Sequence, residues 1–213
     1  MKFLPRGKWA WFRLSMLLAV LLAAVVHYHV YGLLHLLRYS PREGDIVFQS
    51  LPRGDLVDAI EGITQSPYSH CGLVMKSATG AWIVNESIGM VRETPLALWI
   101  MRGRGARVAV WRPLDATLAD PVKLRPALAR YAGRPYDYAY APGDDQIYCS
   151  ELVFLAYRDA VGVELGVWEK LGDLNWRPFE GFIRASEGGK LPLDRPMISP
   201  VGVTRSPLLE RVY

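Results

Sequence analysis

The first apolar block of the chain runs from Leu14 to Leu37, 24 residues without an Asp, Glu, Lys or Arg. As a helix rising about 1.5 Å per residue it reaches roughly 36 Å, enough for a hydrocarbon core of about 30 Å. After Arg38 the pattern breaks into short pieces. Asp45–Gln49 reads as a first strand after the polar linker Tyr39–Gly44, and Leu56–Ile63 as a short helix ended by Ser66-Pro67. Three strands are predicted in close succession, at Ser69–Met75, Ala81–Glu86 and Gly89–Arg92, with turns at Thr79-Gly80 and Ser87-Ile88-Gly89. Pro95–Met101 predicts a short helix and Ala106–Arg112 another β-rich stretch. Asp120-Pro121 predicts the start of a helix that Pro126 should kink and Gly133-Arg134-Pro135 should stop. Leu152, Val153, Ala156, Tyr157 and Ala160 then recur at helical spacing after Cys149. Beyond Gly162 the pattern weakens, and Trp168, Trp176, Phe179 and Phe182 punctuate a Gly- and Pro-rich stretch.

Charge sharpens this division. Residues 1–38 hold five basic and no acidic side chains; removing them from totals of 25 and 21 leaves 20 basic against 21 acidic. The sequence pI of about 9.1 therefore belongs to the N-terminal segment, and nucleic-acid binding is set aside. No small-x-small cleavage site follows Leu14–Val26, so a retained signal anchor is favoured over a cleaved signal peptide. No cysteine stands near the segment, which excludes a lipoprotein anchor. The division is 1–38, a cytoplasmic tail and transmembrane anchor, and 39–213, one domain. Lys2, Arg6, Lys8 and Arg13 predict a cytoplasmic N-terminus and a domain on the extracytoplasmic side. His27, His29 and His35 read as interfacial or helix-contact residues.

Outside that segment the chain has one histidine, His70, on a predicted strand, and in all two cysteines, Cys71 and Cys149. Cys149 falls at a helix start, where unpaired amides and the helix dipole favour thiolate. An imidazole could serve as its base, and a carboxylate or amide would orient that imidazole. With the hairpin closed around residues 78–79, His70 falls opposite about position 87. Glu86 is then the expected third member and Asn85 the fallback. Cys71, turned to the face opposite His70, reads as a small buried hydrophobe; a Cys71–Cys149 disulfide is the less favoured alternative. Tyr136, Asp137, Tyr138 and Tyr140 either line a cleft or pack beneath the cysteine helix. Asp144 and Asp145 read as turn residues, and no metal or cofactor is implied.

Gly44-Asp45-Ile46-Val47-Phe48 with Ser69-His70-Cys71-Gly72-Leu73-Val74 resembles one half of the NlpC-type cell-wall cysteine peptidases. Gly133-Arg134-Pro135-Tyr136-Asp137 with Tyr148-Cys149-Ser150-Glu151-Leu152-Val153 resembles the other half. Here His70 precedes Cys149 by 79 residues, reversing the usual order of that superfamily. This order resembles the circularly permuted papain-like amidases, the YiiX-like group, whose relatives include lecithin:retinol acyltransferase-like proteins. Over residues 44–157 the resemblance implies an α+β fold, an antiparallel sheet or small barrel with the cysteine helix packed on it. It also implies a thiol hydrolase whose Cys149, His70 and Glu86 cleave an amide, with oxyanion or cleft groups among Tyr148, Ser150, Gln146 and the amides of Cys149 and Ser150. Cell-wall peptides and lipid-linked amides are the expected substrates. A thiol acyltransferase or lipid esterase, and a non-catalytic cell-wall or lipid binding module, are the alternatives.

Overall fold

The structure, a computed structural model, describes residues 7–141, 143 and 145–213. Lys2, Arg6 and Asp144, named above, lie outside the described residues. A long helix, α1 (Lys8–Arg38), leads into β1 (Ile46–Gln49), α2 (Asp55–Thr64), β2 (His70–Lys76), β3 (Trp82–Ile88) and β4 (Met90–Pro95). Then come α3 (Leu96–Arg102), β5 (Ala109–Pro113), α4 (Pro121–Ala129) and α5 (Cys149–Val161). The C-terminal third, where the sequence pattern is weak, adds β6 (Trp168–Lys170), α6 (Glu180–Ser186), β7 (Pro196–Ile198), α7 (Pro200–Thr204) and β8 (Leu209–Arg211).

Six strands form one antiparallel sheet in the order β4-β3-β2-β1-β5-β8, and β6 pairs with β7 in a separate ribbon. The large sheet ends at β4 and β8, so it is open; the expected alternative of a small closed barrel is not formed. The fold is α+β. Central β1 is buried at every position because both faces of the sheet are covered. On one face Ile46, Phe48, Cys71 and Leu73 pack against Leu152, Val153 and Ala156 of α5. On the other, Val47, Val74 and Val84 pack against Leu96, Trp99 and Ile100 of α3. Asp120 caps α4 by accepting from the Val122 amide at 2.9 Å, and the helix continues through Pro126 to Ala129.

The Gly44-Asp45 pair is explained by packing. Gly44 has φ +87°, and a Cβ there would meet Ala119 Cβ at 2.5 Å. Its carbonyl accepts from Tyr157 Oη at 2.6 Å, tying the start of the sheet to α5. Asp45 is fully buried and accepts from Arg112 Nε (2.6 Å), Arg112 Nη2 (2.8 Å), Tyr39 Oη (2.6 Å) and the Arg42 amide (2.8 Å). Tyr39–Gly44 is thus no loose linker, because the Tyr39 ring enters the α3-side core while its hydroxyl satisfies Asp45.

Helix α1 has two parts. Trp9–His27 is apolar, unburied and 19 residues long, about 28 Å of helix. The closing turns pack on the domain: Gly32 is buried with Met101 Cγ 3.0 Å from where its Cβ would stand, and His35 Nδ1 lies 2.7 Å from Tyr213 Oη. Leu34 and Leu37, on the same turns, stay exposed, so apolar surface continues to the end of the helix.

Candidate active site

His70 begins β2 and Glu86 lies near the end of β3. The strands pair with Leu73 opposite Asn85, one residue off the expected register. Extended, that register puts Gly72 opposite Glu86, so His70 and Glu86 share the face toward α3. Gly72 carries no side chain between them, which lets His70 Nε2 and Glu86 Oε2 meet at 2.6 Å. The Trp99 ring stacks on the imidazole with centroids 5.9 Å apart and planes inclined by 29°. Asn85, the fallback, faces the other side beside Leu73.

Glu86 is fully buried and its oxygens are saturated. Thr94 Oγ1 donates to Oε1 at 2.6 Å, Arg102 Nη1 donates to Oε1 at 2.9 Å, and Arg102 Nη2 donates to Oε2. Burial alone would raise this carboxyl, but His70, Arg102 and Thr94 hold it well below the usual carboxylate range. The roles of Arg102 and Thr94 were not anticipated. Thr94 sits directly across from Val84 on β4, and Arg102 ends the short helix that follows; a basic residue in a last helical turn was the one available signal.

Cys149 opens α5 and reaches the same point from the opposite face of the sheet. The Ser87 hydroxyl donates to the Ile147 carbonyl at 2.5 Å, bringing the segment before the helix against the end of β3. There the Cys149 thiol lies against both His70 and Cys71, close enough for each to bias its proton. The neighbouring Cys71 thiol, with its amide, and the His70 imidazole outweigh burial and hold Cys149 well below the ordinary thiol range. Burial opposes protonation of His70, yet Cys149 and Glu86 together raise it to about 9. Burial pushes the Cys71 thiol up, as does its neighbour Cys149. Both shifts favour the proton on the ring over the sulfur.

The expectation that strand alternation separates Cys71 from Cys149 fails. Cys71 does turn away from His70, but the face it turns to is the one α5 covers. The two thiols are neighbours, and both are free.

The remaining cleft candidates divide. Tyr148 Oη accepts from the Ile198 amide at 3.1 Å, and Ser150 Oγ donates to the Ile198 carbonyl at 2.7 Å, so both side chains brace β7. Gln146 is exposed. The amides of Cys149 and Ser150 remain at the helix start, where no preceding helical turn supplies acceptors. Tyr136 is buried in the core beneath the site, and Asp137 accepts from the amides of Ala139 (2.8 Å) and Ala141 (2.6 Å). Tyr136, Tyr138 and Tyr140 line cavities beside it.

Residues 40–213 match the family described as "Permuted papain-like amidase enzyme, YaeF/YiiX, C92 family". The YiiX protein of Escherichia coli strain K12 is 32% identical over 177 residues, 82% of this chain and 87% of that protein. The crystal structure of the metalloprotein YiiX from Escherichia coli O157:H7 is similar with a TM-score of 0.76 and 32% identity, covering 82% of this chain and 98% of that one. Among the described residues, no group of three His, Cys, Asp or Glu is placed to hold a metal ion.

Proposed function

Because the chain belongs to the permuted papain-like amidase family, we propose that it is a cysteine hydrolase of amides with Cys149 as nucleophile, His70 as acid and base, and Glu86 as the group that orients His70. The observation that carries this reading is the bracketing of one buried imidazole, by Glu86 at 2.6 Å on Nε2 and by the Cys149 thiol. The Cys149 thiolate adds to the substrate carbonyl carbon, and the amides of Cys149 and Ser150 stabilise the oxyanion. Collapse breaks the carbon–nitrogen bond as His70 protonates the departing amine, leaving a thioester. A water then gives its proton to His70 and its oxygen to the acyl carbon, releasing the acid and restoring the thiolate. Glu86 keeps the ring pointed and its charge compensated throughout, and Arg102 fixes Glu86.

In the same reading the apolar length of α1 after Arg13 spans a membrane, with Arg13 on the cytoplasmic side and the domain outside. Its length, its exposed apolar surface and the charge asymmetry support this. Reporter fusions after Tyr213 that are active only outside the cytoplasm test the orientation; activity of a cytoplasm-only reporter would reverse it.

The chemistry is tested by iodoacetamide labelling of the full chain in detergent, with mass spectrometry separating Cys149 from Cys71. Rapid labelling of Cys149 at pH 6–7, slowed at least tenfold in His70→Ala, is expected. Equal, slow labelling of both proteins would remove the activated nucleophile and with it the hydrolase reading.

A further inference from the structure

A cavity of about 330 Å³ opens beside Cys149. Ile60 and Ile63 of α2, Phe182 and Ile183 of α6, and Met197 of β7 form its walls. Polar side chains along it are turned to the protein itself. Ser150 is bonded to the Ile198 carbonyl, Thr64 Oγ1 donates to the Ile60 carbonyl at 2.7 Å, and Ser199 Oγ accepts from the Gly202 amide at 2.9 Å. Tyr140 Oη is bonded to Tyr136 Oη at 3.0 Å, and Arg195 is ion-paired with Glu187. Of the lining polar side chains, Tyr138 and Ser186 are exposed. Such a wall recognises its occupant by apolar burial and offers no ladder of side-chain partners to a peptide backbone.

A second, smaller cavity of about 70 Å³ is lined by His70, Ser69 and Ser87. Leu56, Ile60 and Tyr138 border both spaces. The nucleophile thus faces the large apolar cavity and the proton donor faces the small one, which matches the two halves of a cleaved bond: the acyl group stays on sulfur and the leaving group takes the proton. A methylene is close in size to a water molecule, which takes roughly 30 Å³ in the liquid, so the large cavity holds a chain on the order of ten carbons. Resting on the reading of Cys149 as nucleophile, we infer that the substrate is a fatty acyl amide or ester whose acyl chain fills this cavity.

The test uses the full chain in lipid nanodiscs and p-nitrophenyl esters from acetyl to dodecanoyl. The expected kcat/KM rises up to about fourfold per added methylene and levels off near ten carbons. Ile63→Trp and Met197→Trp, filling the cavity from two different elements, shift the optimum to shorter chains and lower the decanoyl-to-acetyl ratio at least tenfold. In parallel, the Cys149→Ala protein binds dansyl-undecanoic acid, and adding either tryptophan weakens that binding.

A flat chain-length profile in a protein that hydrolyses the acetyl ester overturns the fatty acyl assignment and leaves the nucleophile in place. So does faster turnover of apolar aminoacyl esters than of decanoyl, which gives the cavity to a peptide side chain. A long-chain preference that neither tryptophan moves overturns the choice of cavity. Failure on every ester, with slow His70-independent labelling of Cys149, removes the nucleophile and the substrate assignment together, whether or not the fluorescent acid binds.

Discussion

His70 and Glu86 are bonded at 2.6 Å, although the pairing of their strands places Gly72, not His70, across from Glu86. The bond is diagonal and passes over a residue without a side chain. A Cβ at position 72 would stand 2.5 Å from Val84 Cγ1, 2.8 Å from the Asn85 carbonyl oxygen and 3.4 Å from Glu86 Cβ.

Gly72→Ala is therefore expected to force β2 and β3 apart. The predicted cost is about 1–3 kcal/mol of stability, read from denaturant unfolding. Labelling of Cys149 near neutral pH should slow as well, because the imidazole loses its diagonal partner. Unchanged stability with unchanged labelling would mean that the strands absorb the methyl.

Glu86→Gln keeps the shape but removes the charge that Arg102 and His70 face. A loss of about 3 kcal/mol is expected, at the lower end for a broken buried pair because Arg102 retains 24% exposure. Turnover should fall about 100-fold. The pH dependence has a definite sign. The folded carboxyl titrates below its ordinary value, so its stabilisation is present above about pH 4.5 and is lost as pH falls toward the depressed native value. The stability curve of Glu86→Gln should be flatter than wild type below pH 4.5; parallel curves would show that Glu86 does not titrate as described.

Cys149 labelling should depend little on pH between about 6 and 8 in the wild type, since the thiol is depressed and His70 is raised to about 9. In His70→Ala the rate should climb nearly tenfold per pH unit toward the ordinary thiol range. A wild-type rate that climbs in the same way would mean that the pair rests as thiol and imidazole.

Asp45→Ala tests the separation between scaffold and chemistry. Removing this buried carboxylate strands Arg112 and the Tyr39 hydroxyl and should cost about 3–5 kcal/mol. The pH profile of Cys149 labelling in the folded protein should stay as in wild type. A changed profile would tie Asp45 to the site.

Much of this site is legible in the chain because its parts are local. The first five strands, the helices from Asp55 and Leu96, and the helix opening at Cys149 follow from period and punctuation. Other features are not written in the period. The turn at Ser77–Gly80 shifts the hairpin by one residue, and in a strand one residue decides the face. Glu86 shares the face of His70 only in the observed register. Similarly, alternation fixes that Cys71 and His70 point apart, but not which face α5 covers. Thr94 reaches Glu86 diagonally across the β3–β4 hairpin, Arg102 reaches it through tertiary packing, and β8 joins the sheet edge with three residues that carry no period.

Helix α1 passes without a break from its exposed apolar turns to the turns clamped by Met101 and Tyr213, and it packs beside α3, the helix that carries Arg102. If the first part lies in a bilayer, the cleft at Cys149 is carried as on a mast, at one height and one heading. A coil linker would let the domain sweep a volume; a rigid stem confines it to a plane. Substrates then arrive by lateral diffusion within the leaflet or by crossing one fixed depth above it. Two glycines inserted between the two parts of α1 would convert that planar supply to a volume without altering a residue of the site.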